Sequence, residues 1–210
     1  MVNKTRAIAI PATVDARDRA GRREEFLAVA LKLFSEHEYS AVTIKAIAAE
    51  AGVNPALLYY YYKDKEDLFR ATLEHAVTEA MDQYAVVASR HSDPVDLIDG
   101  WFEMHAKLAP KIRRLVKILM DYSISGSESR ILDDIIEKFY DEETRILSAA
   151  IRNGQKAGLF RNVNARKAAQ FASTHLDGIM ARSHIEPALE IRSAVNVLRE
   201  VFWSYLGRTK

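Results

Sequence analysis

The residues best suited to do chemistry gather in one stretch, 43–68, TIKAIAAEAGVNPALLYYYYKDKEDL. It holds four consecutive tyrosines, Tyr59, Tyr60, Tyr61 and Tyr62, followed by Lys63 and Lys65, with Thr43, Lys45 and Asn54 upstream. Hydroxyls, ammonium groups and helix N-termini all donate toward anions, so the chemistry on offer is anion binding. Competing chemistries lack their residues. The chain has no cysteine, which excludes disulfides, zinc-thiolate sites and a cysteine nucleophile. None of its six histidines follows a glutamate by three positions, so the di-metal bundle motif is missing, as are HExxH and the phosphate loop. Carboxylates are plentiful but form no paired constellation. The expectation is a binding protein with no catalytic residue, no metal and no cofactor.

These side chains need short helices to present them. Thr43 is a good N-cap, and Ile44, Ile47, Ala48 and Ala51 follow at helical spacing. Gly52 stands where a helix end favours positive φ, and Val53 is placed to tuck into the corner. Asn54-Pro55 restarts the chain as cap plus first-turn proline. Helix, glycine turn and recapped helix within about a dozen residues is a helix-turn-helix pattern. Upstream, Phe26, Val29, Ala30, Leu33 and Phe34 mark an amphipathic helix over 22–37 that packs on both. Downstream, Asp64 caps a long helix to about residue 89, with Asp67 as the capping-box acid and no internal Gly or Pro. Such a rod is a natural lever.

The ordered set Thr43, Ile47, Ala48, Ala51, Gly52, Val53, Leu58, Tyr59, Tyr60, Tyr61, Lys63, Lys65, Glu66 and Leu68 resembles the DNA-binding signature of the TetR family of bacterial regulators. The resemblance covers roughly the first third of the chain. It implies phosphate contacts from Thr43, Tyr59, Tyr61 and Lys65, a base or sugar contact from Tyr60, and a core position for Tyr62. Lys45 is expected at the groove. Pro55, Ala56 and Leu57 open the reading helix without the long polar groups that make bidentate base contacts. Sequence reading then falls to Lys45, Asn54, Tyr60 and methyl contacts.

Composition neither announces nor opposes this reading. Thirty Lys and Arg against 29 Asp and Glu leave a net charge of +1, so any basic field is local. Lys4, Arg6, Arg17 and Arg19 make residues 1–20 a basic arm, expected to be flexible, and Arg22 and Arg23 follow it. No apolar run reaches the length of a membrane span and no hydrophobic leader opens the sequence, so a cytoplasmic protein without membrane contact is expected.

The rest of the chain reads as further helices, and no segment alternates as a strand does. The fold class expected is all-α: an N-terminal three-helix helix-turn-helix domain, 21–66, joined by the long helix to a C-terminal bundle, 67–210. Trp101, His105, Met120, Tyr122, Phe139, Phe171 and His175 are large residues at helical spacing. Taken together they are expected to line an apolar cavity for a small hydrophobic or amphipathic effector, as bundles often do. The final helices, expected at 165–182 and 186–205, carry Gly178, Ala181, Val197, Val201 and Phe202. The resemblance implies that they pair with their copies in a homodimer. The function expected is a ligand-responsive transcriptional regulator, a repressor, bound to a palindromic double-stranded DNA operator.

Overall fold

The computed structural model describes residues 16–90, 92–124 and 130–208. They form helices α1 (Ala16–Glu36), α2 (Ile44–Glu50), α3 (Pro55–Tyr61), α4 (Lys65–Arg90), α5 (Pro94–Lys107), α6 (Ala109–Ile124), α7 (Arg130–Lys156), α8 (Ala165–Ile185) and α9 (Ile191–Tyr205). No strand occurs among the described residues.

Local chemistry explains most boundaries. Asp64 Oδ1 accepts from Asp67 N–H at 2.8 Å, while Asp67 Oδ2 accepts from Lys63 N–H at 3.0 Å. The two acids cap α4 reciprocally, one residue offset from the usual box. Asp93 caps α5 through Val95 and Asp96 N–H. Leu108 ends α5 and also supplies the carbonyl that accepts from Ile112 N–H, so Pro110 sits harmlessly in the first turn of α6.

Three boundaries differ from the sequence reading. Helix α1 begins at Ala16, inside the expected arm, whose residues 1–15 lie outside the described ones. Ser123 and Ile124, the start of a serine-rich stretch that reads as a turn in the sequence, continue α6 instead, and residues 125–129 lie outside the described ones. Glu186-Pro187 looks like a cap and first-turn proline, but Glu186 N–H bonds back to Arg182 O and its carboxylate pairs with Arg182 at 2.9 Å. Glu186 therefore closes α8, and α9 starts five residues later than expected.

Two apolar cores share α4. One holds Phe26, Phe34, Ile47, Leu58, Tyr62, Leu68 and Leu73, and it continues into Leu115, Ile118, Leu119 and Tyr122 of α6. The other joins the second half of α4 to α5, α7, α8 and α9. Helix α1 also packs directly on α6. The helix-turn-helix is thus attached to the bundle through two helices, α4 and α6.

Gly154, in the last turns of α7, makes room for the buried ring of Phe160. A Cβ there would collide with that ring, which belongs to the bundle core. Gly154→Ala is expected to cost about 1–3 kcal/mol by overpacking. Thermal unfolding checks this, with a loss of roughly 2–4 °C per kcal/mol at this chain length.

Candidate nucleic-acid interface and internal cavity

The helix-turn-helix is built by side chain and backbone together. Thr43 Oγ1 accepts from Ala46 N–H at 3.1 Å, fixing the start of α2. At its end Val53 N–H reaches Ala48 O at 2.9 Å and Gly52 N–H reaches Ala49 O at 3.1 Å. This Schellman closure places Gly52 at φ 67°, a conformation that glycine adopts without the Cβ penalty. Asn54 Oδ1 then accepts from Ala56 N–H at 2.9 Å and Pro55 opens α3.

Helix α3 buries Leu58 completely and leads into buried Tyr62, so its opposite face must point outward. That face presents Asn54, Ala56, Tyr59 and Tyr60, with the two tyrosines 55% and 56% exposed. Pro55 and Leu57 are half-buried. Tyr61 is half-buried too, its ring set edge-on to Phe26 at 5.6 Å. Thr43 and Lys45 lie exposed on α2 beside this face, and Arg22, Arg23 and Lys63 are exposed on its flanks. Lys65 is less free than the sequence suggests. Its ammonium donates to Tyr39 O at 2.9 Å and sits 4.2 Å from the Tyr39 ring centroid. It pins the loop before α2 to the start of α4.

The bundle contains an internal cavity between α4, α5, α6, α7 and α8. Glu143 of α7 stands in it as a polar hub. It accepts from Tyr84 Oη of α4 at 2.7 Å and from Ser173 Oγ of α8, and His105 Nε2 of α5 lies 3.6 Å away. Burial pushes the Glu143 carboxyl up, but its bonds to His105, Ser173 and Tyr84 outweigh that and hold it below the ordinary value. Burial and the neighbouring carboxylate push the Tyr84 hydroxyl well up. Nearby, Tyr140 Oη donates to Asp177 Oδ2 at 2.8 Å. Burial raises the Asp177 carboxyl to about 6, against the lowering effect of that bond.

Sequence and structure agree only partly on this cavity. His105 and Phe139 line it. Met120, 43% exposed, lines an outer groove between α6, α7 and α8 instead. Trp101 lies behind His105, ring centroids 4.4 Å apart, rather than on the wall. Tyr122 belongs to the helix-turn-helix core, where its ring approaches Phe69 and its hydroxyl donates to Asp133. Phe171 and His175 are exposed, their rings tilted against each other with centroids 3.9 Å apart. The reason is helical phase: α8 turns Ala168, Ala169, Ala172 and Leu176 inward, which sends positions 171 and 175 out. Glu143, Tyr84, Ser173 and Asp177 were missed. A signal existed, since Glu143 interrupts the apolar spacing of Phe139 and Leu147 four residues to either side.

The outer face of α8 and α9 carries Phe171, Ile185, Val197, Val201 and Tyr205, each exposed by 39–83%. Gly178 is exposed there, with open space where a Cβ would stand, and Ala181 is half-buried. Phe202 is fully buried in its own bundle core against Phe102, so its side chain does not belong to this face. No helix among the described residues is long and apolar enough to cross a membrane.

Comparison with known proteins meets the same elements. Residues 26–72, from α1 into α4, match the family described as bacterial regulatory proteins, tetR family. Over 56 residues the chain is 43% identical to the HTH-type transcriptional regulator HbdR of Aromatoleum sp. (strain CIB), covering 27% of this chain but only 24% of HbdR. It is 24% identical to the HTH-type transcriptional repressor KstR2 of Mycolicibacterium smegmatis over 68% of this chain and 69% of that one. Among solved structures, the MbdR regulator from Azoarcus sp. CIB superposes with a TM-score of 0.72 at 26% identity, covering 89% of this chain and 98% of MbdR. The helix-turn-helix region is thus that of the TetR family of bacterial regulatory proteins, and the helical order around it matches that of MbdR over most of both chains.

Proposed function

We propose that the chain is a homodimeric transcriptional repressor that reads a two-fold-symmetric DNA site and releases it when a small molecule fills the bundle cavity. Residues 21–66 are the reading head and 67–210 the effector and dimerisation body. One observation carries the DNA reading: Tyr59 and Tyr60 project more than half exposed from a seven-residue helix whose other face is buried. Large aromatic hydroxyls without a role in their own fold, beside the N-termini of α2 and α3, suit phosphate and groove contact. Lys45 and Asn54 supply further donors, and Lys65 acts by positioning the Tyr39 loop as much as by its charge. The exposed apolar face of α8 and α9 suits pairing with a second copy, which would set the spacing between two α3 helices.

Release follows from the attachment of the head. As it stands the cavity has room for only a few water molecules, about 40 Å³ for their centres. A ligand must therefore part its walls, which include α4 and α6, the two helices that hold the head. A state with parted walls binds the ligand better, and that difference is what shifts the population.

Fluorescence anisotropy with the operator tests the interface. Tyr59→Phe and Lys45→Ala are each expected to weaken DNA binding by about 3–30-fold and to flatten its salt dependence by about one unit per lost phosphate contact. Wild-type affinity and slope in both variants would move the reading surface off α2 and α3.

A further inference from the structure

The lining of the inner cavity contains two carboxylates, Glu143 and Asp177, and no lysine or arginine. His105, near Glu143, offers at most one positive charge against them. Glu143 is satisfied by its neighbours, whereas for Asp177 the one hydrogen bond described is that from Tyr140. The rings of Tyr84, Phe139 and Tyr140 complete this end of the cavity, with Tyr84 and Phe139 stacked at 6.0 Å. Aromatic faces and carboxylates attract the same kind of charge.

A second cavity adjoins the first. Ala80, Gln83, Leu108, Ile112 and Leu115 line both, and the second reaches Leu31 of α1 at the junction of α1, α4 and α6. Its far rim carries Lys111, whose ammonium is already paired with Glu79. The two together place an acidic, aromatic end beside a mainly apolar cavity that reaches α1, with Ala80, Gln83, Leu108, Ile112 and Leu115 as the shared wall.

We propose that the effector is an amphipathic organic cation, with an ammonium head against Asp177 and the tyrosine rings and an apolar tail along Leu108, Ile112 and Leu115 toward Leu31. This rests on the reading that the cavity is the effector site. A carboxylate-headed ligand would face two like charges at the head, with only His105, already beside Glu143, to meet it. A neutral ligand would leave the Asp177 charge as poorly compensated as before. The tail explains transmission: filling the second cavity between α4 and α6 presses on α1, which belongs to the reading head. Burial already disfavours the ionised form of Asp177 in the empty protein, so the fold bears this carboxylate at a cost that a bound cation would relieve.

Calorimetric titration of the full chain with decyltrimethylammonium, decanoate and 1-decanol, each below its aggregation limit, tests the proposal. The cation is expected to bind at least about tenfold more tightly than either other probe. Asp177→Asn is expected to remove that advantage and Asp177→Glu to retain it, each variant's melting curve confirming that it is folded. Equal or tighter binding of decanoate or decanol, binding by none of the three, or an unchanged cation preference in Asp177→Asn overturns it. DNA binding by the empty protein, measured on the same preparations, stands or falls separately and judges the regulator reading itself.

Discussion

Glu143→Ala is expected to destabilise the protein by about 3–5 kcal/mol, the usual cost of removing one member of a buried charged network. Three helices lose a partner at once: Tyr84 Oη on α4, Ser173 Oγ on α8 and His105 on α5. Ser173 Oγ would lose its acceptor outright, while Tyr84 Oη and His105 Nε2 would keep only each other at 3.3 Å, and an unmet buried donor costs about 1–3 kcal/mol by itself. Glu143→Gln keeps an acceptor for Tyr84 and should lose less, about 1–2 kcal/mol. Differential calorimetry would show a fall of roughly 10 °C for the alanine variant and a few degrees for glutamine. Equal melting of both variants with wild type would mean that the hub does not hold α4 to the bundle.

The pH dependence separates the two cavity carboxylates. Glu143 is held below its ordinary value, so its contribution is present at neutral pH and is lost as pH falls through its folded value. Asp177 has the opposite sign. Its folded value of about 6 lies above the ordinary 3.8, so it lowers stability above pH 6 and that penalty is relieved as pH falls toward 3.8. Asp177→Asn should therefore raise the melting temperature at pH 8 and have little effect near pH 4. Denaturation at the two pH values checks the sign.

Val201→Asp on the outer face of α9 is expected to weaken operator binding by about 10²–10⁴-fold, the advantage that linking two half-site contacts confers. Val201 is 51% exposed and stands outside the buried core, so the subunit should fold normally. An aspartate on each copy would bring unpaired charges into a desolvated interface. Sedimentation should show a monomer with wild-type helicity. A folded dimer that binds DNA as before would move the pairing surface elsewhere.

The reading head was legible because its signals are local. Thr43, Gly52, Asn54 and Pro55 act on residues two to five positions away, and the structure uses each as its type suggests. Helical periodicity likewise gave the all-α class, and the family resemblance gave the core position of Tyr62. The cavity was not legible in the same way. Picking large residues at helical spacing finds helix faces but not their phase, so Phe171 and His175 were assigned inward when the alanines beside them are the packed ones. Val197 and Val201 lie outside and Phe202 inside for the same reason. The polar hub depends on pairings 30 to 59 residues apart, such as Ser173 and Tyr84 with Glu143, which spacing does not reveal. Lys65 shows the remaining limit: its partner is a carbonyl 26 residues away, and only packing brings the two together.

The most direct test is selection of binding sites from fragments of the source genome by purified protein at low and high salt. A two-fold-symmetric sequence should be enriched at low salt, and its affinity should fall steeply as salt rises because phosphate contacts release counterions. A folded, dimeric preparation that enriches no site at low salt would contradict the assignment of α2 and α3 as a DNA-reading surface.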